Sequence, residues 1–357
     1  MGVRPWLISR ERVAAEDGRA LSIRNFDAID ESCEYATDAI ERHCRISHFW
    51  PWTGTRYFPW PADDTSSNHP YYRLYLDPHV LATLTTVIAG GQTITDARAY
   101  PDNRLGNQPA QWLELDRAGS SDWGTGSTGT QRQVAVTGVW AWSDETVTAG
   151  TLDGSVTDSA TTVAVERAAY GVGVGHLMRV EDERMLVTGR AAVDTTENAA
   201  GALTAYDDST IATALPVADG TDFAVGETIA IDAEDMLIER IVANTLHVRR
   251  AVNGTTLADH ALSADIYAYR QLQVERGYGG TTAAAHSDGT AATRWKAPPA
   301  PALLGLALAL DNLVQMGAAY ARTSGDGENS RDTRTPGLTQ LWKRVEPYRR
   351  KGLTYAV

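Results

Sequence analysis

The sequence predicts an α+β fold in which a helical scaffold with some strands carries a large inserted all-β domain, a barrel or a sandwich. Two observations predict it. The chain changes character at Ser143, because the residues before it are Trp-rich with mixed helix and strand patterns, whereas residues 143–294 are rich in Ala, Thr and Asp and show few helix signals. This second region also contains internal repeats, and a helical pattern returns after Trp295. We therefore divide the chain into scaffold parts 1–142 and 295–357 and an inserted β domain, 143–294.

The length and the charge distribution limit the possible functions. A chain of 357 residues is longer than one average core serves, which favours two domains. The net charge of −13 is uneven: residues 1–142 carry −4, residues 143–294 carry −13 and residues 295–357 carry +4. Such an acidic chain lacks the basic footprint that a sequence-reading nucleic-acid binder needs.

Cysteine spacing and hydropathy predict where the protein is made. Cys33 and Cys44 lie 11 residues apart on one predicted helix, about 16 Å along its axis, which is too far for a disulfide. Reduced thiols fit synthesis in a cytoplasm. Charges interrupt residues 1–25, so we expect no signal peptide. The longest apolar run, Ala297–Leu310, has 14 residues, whereas a bilayer needs about 20, so we expect no membrane contact.

The first part begins with an amphipathic helix after Asn25, which should end by Pro51. The next stretch, FWPWTGTRYFPWP, holds too many prolines for a helix or a central strand, so it should form a loop or an edge strand. Its aromatic residues either cover the core or contact a neighbouring subunit. The candidate interface residues are Trp50, Trp52, Tyr57, Phe58 and Trp60.

Extended segments and two further helices complete the scaffold prediction. Alternation predicts strands at Tyr71–Leu76, at Val80–Ile88 paired with Gln92–Thr95, at Trp112–Leu115 and within Gln131–Ser143. After the β domain, Ala302–Ala321 is apolar on all sides and predicts a buried helix that returns to the first part. Leu338–Lys351 predicts a last, basic helix.

Two pairs of repeats organise the β domain. VGHLMRVEDERMLV from Val174 matches VGETIAIDAEDMLI from Val225, and LHVRRAVNGTTLADH from Leu246 matches LQVERGYGGTTAAAH from Leu272. Each unit is a strand followed by a turn, which favours a small barrel or sandwich. Residues 188–213 give no clear pattern. The charged or ionisable residues that coincide between copies include Glu183 with Glu234, Arg276 with Arg250, and His286 with His260.

The sequence contains no motif that predicts catalysis, a cofactor or a metal, so we expect no enzyme activity. GVGVG from Gly171 lacks the spacing of a dinucleotide or phosphate loop. His260 and His286 should brace a turn in each repeat, because no further ligand lies at metal spacing. The acidic residues near 181–183 and 232–235 are interpreted as solvated hairpin tips. Asn253-Gly254 matches both a glycosylation sequon and a turn, and we favour the turn.

The end of the chain is the best candidate for contact with a partner. A basic helix end precedes a short strand-forming tail, and this segment is either solvated or docks on an acidic partner, with the tail added to the partner's sheet. The candidate contact residues are Arg349, Arg350, Lys351, Leu353, Tyr355 and Val357.

Several stretches together resemble the head-to-tail adaptor, or head-tail connector, proteins of tailed bacteriophages. These are the early acidic helix, YYRLYLDPHVLATLTTVIAGGQTI, PAQWLEL, QVAVTGVWAWS and the C-terminal helix, covering residues 20–142 and 297–350. Small members of that family lack a region like 143–294.

The resemblance implies a virion protein of the neck, made in the host bacterial cytoplasm, that forms a ring of about twelve copies under the portal protein. Such a ring extends the channel for double-stranded DNA without sequence-specific binding and offers a platform to the stopper or tail-terminator protein. Residues 349–357 are then the expected portal contact. The competing interpretation is a phage decoration or binding module whose β domain binds a carbohydrate or a receptor.

Overall fold

A computed structural model describes residues 4–16, 26–59, 72–102, 108–116, 118–119, 121–123, 131–166, 171–317, 323–324, 331–332 and 337–350. The fold mixes helices and strands, and strands dominate. The helices in these ranges are α1 (Arg10–Glu16), α2 (Phe26–Cys44), α3 (Pro299–Gly317) and α4 (Leu338–Val345). α1 was not predicted, whereas α2 and α3 match the predicted helices within a few residues.

The two ends of the chain meet in one helical core. α3 packs on α2, and Gly305 lies at this contact, where a Cβ would be in ordinary van der Waals contact with Ile40 Cδ1 at 3.7 Å and with Leu7 Cβ at 3.6 Å. The fully buried Cys33 and Cys44 belong to this core, and both are free thiols, as predicted. Burial raises the pKa of the Cys44 thiol to about 12. The predicted contact between the returning helix and the first part of the chain is therefore present.

The two later helices differ from their predictions. α4 ends at Val345 and continues only as a single 3-10 turn over Glu346–Tyr348, because Pro347 has no amide hydrogen with which to extend the helix. α3 was expected to be buried all round, but Leu303 is 45% exposed. The stretch Pro299–Met316 is long and apolar enough by length and composition to cross a membrane. In this fold its Leu304 and Leu308 are buried in the helical core.

In the described part of residues 1–142, more residues lie in strands than in helices. The sheet β1-β7-β3-β4 consists of β1 (Trp52–Phe58), β3 (Leu81–Ala89), β4 (Gln92–Ile94) and β7 (Val134–Trp140). The sheet β2-β6-β5 consists of β2 (Arg73–Tyr75), β5 (Ala97–Tyr100) and β6 (Trp112–Leu115). Both sheets enclose one core centred on Trp140. The expectation of a mainly helical scaffold is not confirmed for this part, because its period-2 patterns form a β-sandwich.

The Pro-rich aromatic stretch forms an edge strand, as its prolines predicted. Among the described strands β1 pairs only with β7, in register from Trp52 opposite Trp140 to Phe58 opposite Val134. β7 lies between β1 and β3 and buries every second side chain. β7, which ends shortly before the change in composition at Ser143, is therefore a central strand of the sandwich.

The region after Ser143 forms one ten-stranded sheet that closes into two small barrels. Barrel A consists of β8, β9, β10, β19, the first part of β11 and the last part of β18; barrel B consists of β14 to β17, the last part of β11 and the first part of β18. Isolated bridges close them, Leu152 to Val165 in barrel A and Ala199 to Val217 in barrel B. Each barrel has its own hydrophobic core. The bounds are β8 (Thr146–Thr151), β9 (Thr162–Ala164), β10 (Leu177–Val180), β11 (Glu183–Asn198), β14 (Ala214–Pro216), β15 (Thr228–Ile231), β16 (Glu234–Val242), β17 (Thr245–Val252), β18 (Asp265–Glu275) and β19 (Ala291–Trp295).

Pairing registers show that the two barrels are structural copies. Leu177 opposite Leu186 in barrel A corresponds to Thr228 opposite Leu237 in barrel B. Met178 opposite Arg294 corresponds to Ile229 opposite Ala268. The repeats read from the sequence thus mark equivalent strands, and of the two predicted architectures the closed barrel is the one present.

The segment that gave no sequence pattern is built from the shared strand and a small hairpin. Residues 188–198 continue β11 out of barrel A and into barrel B, with register shifts against β18. The hairpin is β12 (Tyr206–Asp207) with β13 (Thr210–Ile211), which form a separate two-stranded sheet. A further short pair, β20 (Thr323–Ser324) with β21 (Arg331–Asp332), lies in the predicted loop before α4.

Candidate interaction surfaces

A buried ionic network braces the end of barrel A. Arg276 Nε and Nη2 donate to the two carboxylate oxygens of Glu183 at 2.7 and 2.8 Å. The amides of Gly277 and Ala284 donate to the same carboxylate at 2.9 and 3.0 Å. His286 Nε2 lies 2.8 Å from Glu183, and its Nδ1 lies 2.8 Å from Glu181. Both ring nitrogens of His286 therefore face carboxylate oxygens.

Barrel B contains the same network at the equivalent positions. Arg250 donates to both oxygens of Glu234 at 2.7 and 2.8 Å, and the amides of Ala251 and Ala258 donate to them at 2.9 Å. His260 lies 3.0 Å from Glu234 and 2.8 Å from Asp232. The prediction that the paired histidines brace turns is confirmed, and the sequence coincidence of Glu, Arg and His is explained by one duplicated network.

The networks keep both glutamates ionised. Burial alone would raise the pKa of Glu183, but the hydrogen bonds from Arg276, from two backbone amides and from His286 outweigh it and lower the pKa to about 2. The same causes lower the pKa of Glu234 to about 2. The description of these acidic stretches as solvated tips is wrong for both glutamates, which are 1% exposed.

The turns carry the outer carboxylate of each network. Glu181 and Asp232 begin two-residue turns with φ of 51° and 53°, a left-handed conformation that side chains other than glycine rarely adopt. The carboxylate of Glu181 pairs with His286 and that of Asp232 pairs with His260, and these contacts stabilise the turns against the strain. Among the described residues, no group of three or more His, Cys, Asp or Glu side chains is arranged to hold a metal ion.

Barrel A docks on the scaffold through a glycine turn. A Cβ on Gly280 would lie 1.9 Å from Thr53 O, and one on Gly279 would lie 2.9 Å from Pro51 O, so both positions need glycine for the backbones to meet. Arg184 Nη1 donates to Thr53 Oγ1 at 2.7 Å across the same contact. Trp6 covers Gly175 on another side of the barrel, and its amide donates to Gly175 O at 2.9 Å. Sequence reasoning missed these contacts, since they join segments far apart in the chain.

The aromatic residues predicted as a subunit interface have different surroundings. Tyr57 is 50% exposed under the guanidinium of Arg132, whereas Phe58 on the opposite face of β1 is 6% exposed in the sandwich core. The prediction is therefore wrong for Phe58, because strand alternation turns it inward. Trp50 is half-buried against His48 and against Tyr278 of barrel A, and Trp52 is half-buried under Arg56. Trp60 lies outside the described residues.

The predicted partner segment at the C-terminus is partly used inside the chain. Arg350 is 5% exposed, donates to His79 O and Gln111 O, and pairs with Asp77 at 2.9 Å. Its prediction as a partner contact is corrected to an anchor of the chain end on the sandwich. Arg349 is exposed and pairs with Glu346 at 3.0 Å. Lys351, Leu353, Tyr355 and Val357 lie outside the described residues, and their role stays a prediction.

A cleft of about 600 Å³ lies between barrel B and the start of the helical core. Barrel B contributes Asp235, Asn253 and Tyr267, and the helical side contributes Arg10 and Phe26. Asn253 is in the left-handed turn conformation that was favoured over the sequon, with φ of 56°, and its side chain donates to Asp235 at 2.9 Å. The cleft therefore combines an aromatic ring with planar polar groups.

Comparison with protein-family models, with curated proteins and with solved structures finds no match for this chain. What the protein does is therefore inferred from its own residues and geometry.

Proposed function

We propose that this protein is a head-to-tail adaptor of a tailed bacteriophage, a structural protein that forms a ring beneath the portal, extends the DNA channel and joins the capsid to the stopper or tail. The observation that carries the proposal is the closed scaffold. α2 and α3, which precede and follow the β region in the chain, share one core, so the barrels project from the scaffold as an insertion. The stretches that resemble the adaptor family belong to this scaffold.

The charge distribution supports a channel role. The two barrels and their flanks carry −13, the region with the largest negative charge. An acidic wall repels phosphate, so DNA passes without being held. The edge strand β1 also supports self-association, because among the described strands it pairs on one side only, and Tyr57, which lies beyond the barrel A contact at Thr53, is half exposed.

The mass of the full-length protein, measured by light scattering with and without portal particles, tests the proposal, together with negative-stain micrographs. The expected result is a ring on the portal. A full-length protein that neither forms a ring nor sediments with portal particles would refute the function.

The portal contact of the tail is tested separately by a truncation after Arg350. This truncation keeps the anchor to Asp77 and His79, so folding should be intact while co-sedimentation with portal particles is lost. Unchanged co-sedimentation would remove residues 351–357 from the portal contact. Arg42→Ala, which alters only an exposed pair with Asp38 on α2, serves as the matched control.

A second candidate function is favoured by the cleft beside barrel B. An aromatic ring together with planar polar side chains is suited to a sugar, and 600 Å³ is the size of a small-ligand site. In this alternative the β region is a decoration that binds a carbohydrate or receptor. A glycan array with the full-length protein tests it: binding should be lost in Tyr267→Ala and kept in Tyr35→Ala, a change at an exposed tyrosine on α2.

A further inference from the structure

The duplication provides an internal comparison that singles out one surface of barrel B. Val156 pairs with His286 in barrel A as Leu203 pairs with His260 in barrel B. The next equivalent point is the carbonyl that accepts from the network arginine, Ala160 in barrel A and Ala212 in barrel B. Ala160 lies four positions after Val156 in barrel A, whereas Ala212 lies nine positions after Leu203 in barrel B. Barrel B therefore has about five extra residues in this segment.

The extra residues form the hairpin β12–β13. Asp208 and Ser209 make its turn with φ of 43° and 71°, and Tyr206 lies opposite Ile211. The hairpin pairs with no other strand in the described residues. An isolated two-stranded hairpin gains little stability by itself in water, so an additional surface to pack against would stabilise it.

The hairpin exposes apolar side chains where barrel A is polar. Tyr206 is 61% exposed and Ile211 is 51% exposed, whereas barrel A has Asp158 and Ser159 in the corresponding loop. The next loop repeats the contrast, since Leu262 is 62% exposed and its counterpart in barrel A is Asp288. Both barrels fold on the same plan, so folding does not require these apolar positions. Exposed apolar side chains of this kind are typical of contact surfaces.

The charges around the hairpin indicate the chemistry of its partner. Asp207, Asp208 and Asp259 are exposed, and Asp259 accepts from the amide of Ala205 at 2.6 Å, which joins the hairpin to the neighbouring loop. The partner surface should therefore be basic with an apolar component. α4 of this chain supplies the basic part: Lys343 and Arg344 are exposed and make no ion pair within the described residues, and they follow Trp342, which is half-buried against His43 and the helical core.

We propose that the β12–β13 hairpin of one copy docks on the α4 surface of a second copy. This inference rests on the proposed ring. The hairpin and α4 are different surfaces of the chain, so the contact between two copies is head-to-tail. A heterologous contact of this kind closes into a ring when the rotation between neighbours permits it. The aspartates then face Lys343 and Arg344, and Tyr206 and Ile211 cover the exposed side of α4.

A charge exchange in the full-length protein tests the contact. The variant Asp207→Lys/Asp208→Lys and the variant Lys343→Glu/Arg344→Glu should each weaken self-association at least about tenfold in sedimentation velocity. The variant that combines all four changes should regain most of the wild-type affinity, because the charges are exchanged and remain complementary. Asp158→Lys/Ser159→Lys, at the equivalent loop of barrel A, is the matched control and should assemble as the wild type does.

Cross-linking gives a second measurement that does not depend on charge. Ser209→Cys combined with Gln340→Cys should give a ladder of cross-linked species with a short bismaleimide, since each copy joins a different neighbour at each end. Cys33 and Cys44 are fully buried, so the introduced thiols react selectively. Ser159→Cys with Gln340→Cys should give no ladder.

The outcomes separate the inference from the function. A wild-type protein that assembles, with both charge variants assembling equally well, would overturn the hairpin contact and leave the adaptor proposal standing. Charge variants that both fail, with no recovery on combination, would also overturn it. A wild-type protein that never assembles, alone or with portal particles, would refute the adaptor proposal itself.

Discussion

Replacing the buried glutamate of each ionic network by glutamine should destabilise one barrel at a time. Glu183→Gln removes the charge that Arg276 and His286 face in barrel A, and Glu234→Gln removes the corresponding charge in barrel B. Glutamine keeps the shape of the side chain but brings an NH₂ group against donors. The guanidinium group of Arg276 or Arg250 then remains buried without a carboxylate to pair with.

The expected loss is large because the pairs are buried. The side chains of Glu183 and Glu234 are fully covered, and those of Arg276 and Arg250 are 7% and 1% exposed. Breaking a buried pair from one side costs about 3–5 kcal/mol, against a total stability of about 5–15 kcal/mol for a domain. Each variant should therefore lose about 3 kcal/mol or more. The control Glu239→Gln alters an exposed pair with Arg249 at 3.7 Å and should cost less than about 0.5 kcal/mol.

Hydrogen exchange measured by mass spectrometry can locate the loss, because peptides from β10 report on barrel A and peptides from β17 report on barrel B. Urea unfolding of the same variants gives the total change. We expect Glu183→Gln to lower protection mainly in β10 and Glu234→Gln mainly in β17. A loss below about 1 kcal/mol in both variants, or equal loss of protection in both barrels whichever glutamate is changed, would show that the networks are not local braces.

Other predictions concern pH, the docking turn, the chain end and the thiols. Burial lowers the pKa of His48 and of His79 to about 4, so the stability that these neutral rings provide above about pH 6.5 should be lost as the pH falls toward 4. The stability that the ionised Glu183 and Glu234 provide should be lost between about pH 4.5 and pH 2. Urea unfolding midpoints measured across this pH range test both expectations. Gly280→Ala should lower the urea midpoint more than Gly289→Ala, since both glycines have φ above 70° but only Gly280 faces a backbone oxygen. Arg350→Ala should destabilise the sandwich by about 2–4 kcal/mol, whereas Arg349→Ala should be nearly neutral, as thermal unfolding can show. Cys33 and Cys44 should resist alkylation until the protein unfolds, and mass analysis after iodoacetamide would reveal any earlier reaction.

Local patterns predicted the elements whose neighbours are close in sequence. The hairpin of β3 and β4 follows from alternation on both sides of Gly90-Gly91, and α2 follows from its three- and four-residue spacing. The repeats predicted the barrels because strand, turn and network residues recur together. Coincidence of Glu, Arg and His at fixed spacing could also have predicted an ion pair, since buried charges persist in cores only with partners.

Contacts between distant segments could not be read from those patterns. β5 and α1 are short, and tertiary packing rather than spacing determines them. Gly279 and Gly280 were interpreted as turn residues, but their lack of a side chain also serves the contact with Pro51 and Thr53, which lie more than 220 positions earlier. Arg350 was assigned to a partner because it belongs to a basic helix end that precedes a strand-forming tail, and only the fold shows that it reaches Asp77.

The shared strands explain how barrel B can hold a fixed position. Several hydrogen bonds join the scaffold to barrel A: Trp6 to Gly175, Arg10 to Val174, Val174 to Glu11, and Arg184 to Thr53. Barrel B is joined to barrel A through the backbones of β11 and β18, which continue from one barrel into the other and pair with each other across register shifts. Two hydrogen-bonded strands resist bending far better than a single linker, because every displacement strains the ladder between them. Barrel B and its hairpin are therefore held at a set distance from barrel A, as the proposed contact between neighbouring copies requires.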